Sequence, residues 1–80
     1  MSDWQDFTVG EKRGAIRHVE GINLLVLEQD GFFAALVSTQ LSAQATQSEQ
    51  TAAPTLEKAK ETASELAEDL ASTRMRYLLA

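Results

Sequence analysis

The chain of 80 residues has no cysteine. That excludes a disulfide, a thiolate metal site and a thiol nucleophile, and it favours a reducing compartment. There is a single histidine, His18. A hydrolytic triad or a histidine–carboxylate metal site would need partners for it, and no spacing in the chain supplies them. Glu20, two residues on, is its only nearby partner on an extended chain. Glycine occurs four times, never as Gly-x-Gly-x-x-Gly. The pair Gly10 and Gly14 brackets Glu11-Lys12-Arg13 without the Lys-Ser/Thr ending of a phosphate loop, so this stretch reads as a plain loop. These absences predict no enzyme, no catalytic residue, no bound metal and no cofactor.

Long apolar runs are missing too. A stretch such as Leu24–Leu27 falls far short of the ~20 residues needed to span a bilayer. Residues 1–20 carry Asp3, Asp6, Glu11 and Glu20 with no apolar segment, which predicts no secretory signal. The expectation is a cytoplasmic protein with no membrane partner. Positive charge is scarce: seven Lys and Arg stand against 12 Asp and Glu, for a net charge of −5. Phosphate binding draws on a basic surface, so nucleic acid is a disfavoured partner. Lys12, Arg13, Arg17 and His18 form the one basic concentration, flanked by Asp6, Glu11 and Glu20.

An apolar fraction of 44% is enough for a folded core. Eighty residues make one small domain, and a chain of that size buries only about 60–65% of its extended surface. Without disulfides or metal, such domains commonly gain stability by association.

The stretch Ile22–Ser38 organises the chain. Asp30-Gly31 sits between two runs rich in aliphatic and aromatic residues, and predicts a two-residue hairpin turn of type I′. In that register Leu27 faces Ala34, Leu25 faces Leu36 and Asn23 faces Ser38. On the other side, Glu28 faces Phe33, Val26 faces Ala35 and Leu24 faces Val37. Both faces are apolar near their centres, so both need a cover. A first strand over about 14–20 joins the hairpin at Glu20-Gly21. Near the N-terminus, either a helical turn capped by Ser2 places Trp4 and Phe7 on one side, or Phe7-Thr8-Val9 forms a short edge strand; Trp4 and Phe7 are expected to close one end of the core.

Thr39–Pro54 is a polar stretch of Gln, Ser, Thr and Ala with the single charge Glu49. It reads as a loose, mostly irregular connection over about 40–54. Pro54-Thr55-Leu56-Glu57 then opens a helix capped by Thr55 and running over about 56–78. Leu56, Ala59, Ala63, Leu66 and Leu70, continued by Thr73 and Tyr77, form its apolar stripe. Glu57, Glu61, Glu65 and Glu68 fall within roughly 80° of one another on the helix. They form an acidic ridge suited to a basic partner.

The predicted fold is therefore α+β. An antiparallel sheet of two or three strands (about 14–20, 22–29 and 32–38) packs on one long C-terminal helix. The order of hairpin, connection and a Thr55-Leu56-Glu57-Lys58-Ala59-Lys60 helix start resembles the layout of many small bacterial and phage proteins. The resemblance implies no functional residue. The expected function is a small protein-interaction module that self-associates, with a homodimer favoured. The alternative is an acidic inhibitor, or nucleic-acid mimic of phage or plasmid type, that blocks a basic site on a partner protein. The helix, at ~1.5 Å per residue, outruns strands of seven or eight residues. Met75, Tyr77, Leu78 and Leu79 at its overhanging end are the candidate self-association residues. Tyr77 is expected on the core stripe, and Met75 and Leu79 on the side of the ridge.

Overall fold

A computed structural model describes residues 3–79. The elements in chain order are β1 (Gln5–Val9), β2 (Lys12–Val19), β3 (Ile22–Glu28), β4 (Phe33–Ser42), β5 (Ala45–Ala53) and α1 (Leu56–Leu79). The strands form one antiparallel meander in the order β1-β2-β3-β4-β5. The fold is α+β, but the sheet has five strands rather than the two or three expected from the sequence.

One extra strand comes from the N-terminal segment, open between a helical turn and an edge strand, and the other from the stretch expected to be irregular. Gln5–Val9 takes the strand option, paired to β2 with Phe7 opposite Gly14. The alternative cap by Ser2 lies outside the described residues. Lys12 and Arg13 are not a loop: Gly10-Glu11 is a tight turn, with Gly10 at φ 64°, and β2 begins at Lys12. The supposed loose connection over 40–54 is also overturned. β4 continues to Ser42, turns through Ala43-Gln44, and β5 runs back along it to Ala53. Gln40 pairs with Thr46 and Ser42 with Ala45, so Leu41 is an extra residue at a bulge. Bulged strands twist more sharply, which helps the chain end one strand and start the next.

The β3–β4 hairpin has the expected register, from Glu28 opposite Phe33 to Asn23 opposite Ser38. Its turn differs in type. Gly31 has φ 89°, while Asp30 is not in the positive-φ region, and a type I′ turn needs both. That signature sits instead at the β2–β3 turn, where Glu20 has φ 49° and Gly21 has φ 82°.

α1 lies across one face of the sheet, against β3, β4 and β5. The core between them holds Ile22, Leu24, Val26, Phe33, Ala35, Val37 and Ala53 from the sheet, with Ala59, Ala63, Ala67 and Leu70 from the helix. Alanine on three of these helical positions lets the axis come close to the strands. Thr55 caps the helix as expected, its Oγ1 accepting the Lys58 N–H at 3.1 Å. The buried line runs through Ala67 rather than Leu66, because 3.6 residues per turn drifts from a strict 3,4 repeat. Leu66 packs partly buried on its flank.

Candidate functional site

The sheet has two apolar faces and one helix. In each central strand, alternate residues point to the helix: Leu24 and Val26 in β3, Ala35 and Val37 in β4. Their neighbours point the other way, onto a face with no element of the described chain over it. Register lines these neighbours into rows across the sheet. One row is Gln5, Ile16, Leu25, Leu36 and Gln50. The next is Phe7, Gly14, Leu27, Ala34 and Ala52. A third, His18, Asn23, Ser38 and Ser48, is polar. Ile16, Leu25, Leu27 and Phe7 are half-buried by one another, whereas Leu36 is 37% exposed. Phe32 stands beside this face in the β3–β4 turn and is 42% exposed.

The Phe7 ring reaches over Gly14. A Cβ at Gly14 would stand 2.6 Å from Phe7 Cζ and 2.9 Å from the Val26 carbonyl oxygen. Glycine is needed there to make room for the ring, which in return covers backbone that glycine leaves bare. This interlock was not read from the sequence. Its signal was an aromatic and a glycine placed symmetrically about the Gly10-Glu11 turn.

The basic concentration does not gather on one surface. Lys12 and His18 face the uncovered side, while Arg13 and Arg17 face the helix side. Each is engaged within the chain. Lys12 Nζ donates to Asp30 at 2.7 Å. The Arg13 backbone N–H donates to Glu28 Oε1 at 2.9 Å, and its guanidinium lies 5.3 Å from the Phe33 ring centre. Arg17 bonds Asp3 at 3.2 Å. His18 pairs with Asn23 across the strands, not with Glu20, which belongs to the turn. These contacts shift three groups. The hydrogen bond from Lys12 holds Asp30 below its ordinary value, and the same bond raises Lys12. The Arg13 backbone N–H is the main cause lowering Glu28.

The acidic ridge lies on the solvent side of α1, with Glu57, Glu61, Glu65 and Glu68 all exposed. Lys58 and Lys60 are the ridge's nearest lysines in the chain. Lys58 does pair with Glu61 at 3.5 Å, but Lys60 turns inward, bonding Asp6 at 3.0 Å and standing over the Trp4 ring. Trp4 itself packs against the core cluster.

Met75, Tyr77, Leu78 and Leu79 are exposed at 62%, 49%, 62% and 79%. Arg74 ties the helix to the β2–β3 turn, donating to the Glu20 carbonyl oxygen at 2.9 Å, and Tyr77 has no place in the core cluster. Tyr77 is therefore not part of the core stripe. The line turns instead through Ala71 and Arg74 towards Leu78, and Met75 borders the same shallow groove, beside Glu20 and Ile22. The helix end and the uncovered sheet face lie on opposite sides of the sheet.

No family model, curated protein or solved structure matches the chain significantly. Among the described residues, no helix is long and apolar enough to cross a membrane. Among the same residues, no group of three or more His, Asp or Glu is placed to hold a metal ion.

Proposed function

We propose that this chain is a small, non-enzymatic protein-interaction module that self-associates, with a dimer as its basic unit. The observation that carries the reading is the uncovered sheet face. Ile16, Leu25 and Leu36 lie side by side at its centre, and Phe7 and Leu27 extend the patch. A sheet exposed on one side normally shows polar residues there. An apolar centre rimmed by Gln5, Gln50 and the polar third row fits the pattern of an interaction surface. The exposed helix end supplies a second apolar surface. Light scattering coupled to size exclusion tests the reading: a dimer at micromolar concentration supports it, and a monomer at every concentration removes it. Removal of residues 75–80 tests the helix end, because a dimer that depends on Met75, Tyr77, Leu78 and Leu79 dissociates on that truncation.

A second reading has one observation in its favour. Lys60 turns inward to Asp6, which leaves Lys58, paired with Glu61, as the lysine beside the ridge. An exposed acidic line of this kind suits a protein that blocks a basic site on a partner. Reversal of Glu57, Glu61, Glu65 and Glu68 to Lys abolishes partner capture under this reading while the helix persists by circular dichroism. Capture that survives reversal, with little salt dependence, eliminates it.

A further inference from the structure

We infer that two copies of this chain stack their sheets face to face, uncovered side to uncovered side, giving a four-layer helix–sheet–sheet–helix particle. This inference rests on the self-association reading and names the surface and the partner. Two features favour a second copy as the occupant.

The first is charge. The chain carries 12 Asp and Glu, yet no strand position on this face holds a carboxylate. Lys12, at one corner, is already paired with Asp30. The acidic ridge lies on the far side of the molecule, outside the helix. Two copies of net charge −5 repel in most orientations, and this face offers an approach that keeps their ridges farthest apart. A basic protein partner would find its complement on the helix, not here.

The second is area. Five strands at ~4.8 Å spacing, crossed by three rows ~6.7 Å apart, span about 24 by 20 Å. Pairing two such faces removes about 1,000 Å² in total, the size of a weak, reversible interface. The row Gln5, Ile16, Leu25, Leu36 and Gln50 has apolar residues at its centre and amides at its ends, so it complements a copy of itself. Leu25 is the middle outward residue of the middle strand, β3. Any stacking that overlaps the two apolar patches places the two Leu25 side chains near the two-fold axis.

That position yields a direct test. Leu25→Lys and Leu25→Glu are made separately, and circular dichroism checks that each folds. Like charges then meet across the axis in each variant, so each alone runs as a monomer, with self-association at least ~10-fold weaker than in the parent. Mixed in equal amounts, they restore a heterodimer. Leu78→Lys, at the helix end, leaves the parent dimer intact.

A second measurement covers the case in which a charge at position 25 unfolds the chain. The absence of native cysteine makes single spin labels clean. Labels at Ser72→Cys, on the outer side of the helix, sit about 40 Å or more apart in the stacked particle, given ~10 Å between sheets and ~10 Å for each helical layer. Labels at Ser38→Cys, on the uncovered face, sit much closer together. A parent dimer whose Leu25→Lys variant stays dimeric, or whose Ser72 labels are the nearer pair, overturns the stacking while self-association stands. A parent that is monomeric throughout overturns the underlying reading as well.

Discussion

Gly14 and Phe7 show how one residue's lack of a side chain sets another's position. Gly14→Ala drives a methyl into the Phe7 ring and against the Val26 carbonyl. The expected loss is about 1–3 kcal/mol, the range for overpacking a tight site, read as a lower urea midpoint with an unchanged slope. Glu20 makes the opposite case, since a non-glycine residue at φ 49° is strained. Glu20→Asn creates Asn-Gly at a turn with positive φ at both central residues, and should stabilise by up to about 1 kcal/mol, below the usual left-handed penalty. The Arg74 bond survives, because it uses the backbone carbonyl. The three shifted groups set a pH dependence. Glu28 and Asp30 have lowered folded values, so their contribution is present above their ordinary carboxylate range and is lost as pH falls through the folded values. Lys12 is raised, so its contribution is present below its ordinary value and is lost as pH rises through the folded one. Thermal melts across pH should show a plateau between these limits, and Glu28→Gln should flatten the acid limb.

At the scale of elements, the readable parts of the sequence were those where local chemistry and burial agreed. The Thr55 cap and the glycine-free run after it predicted α1 within a residue at each end. Thr55→Ala should cost about 1 kcal/mol by thermal or urea unfolding, since it removes the bond to the Lys58 N–H. The β3–β4 register followed from the two-residue turn, even though the turn type did not, because loop length sets pairing regardless of type. β5 was missed for a physical reason. Its residues are Thr, Ser, Gln and Ala with one Glu, and an edge strand lying half over a helix needs few apolar side chains. Its only fully buried residue is Ala53. What holds it is pairing with β4, a contact between residues that a reading of local pattern does not see. Amide exchange should show slow hydrogens within Ala45–Ala53, which an irregular connection would not give. The candidate helix-end residues were legible as apolar and exposed. Their distance from the uncovered face was not, since it depends on which side of the sheet the helix takes.

For the whole molecule, the arrangement divides labour between two surfaces. Acidic charge collects on the outer side of the helix, and one continuous apolar patch lies on the opposite side of the sheet, apart from the exposed helix end. With one helix for two apolar faces, the fold is complete on one side only. The central claim is that a second copy covers the other side. The most direct measurement is the solution mass of the unmodified chain across a dilution series from ~100 µM to ~1 µM, a range that brackets dissociation constants of weak to moderate dimers. The expected result is twice the 8.8 kDa chain mass at the upper end, falling towards a single chain on dilution. A mass of one chain at every concentration would contradict it.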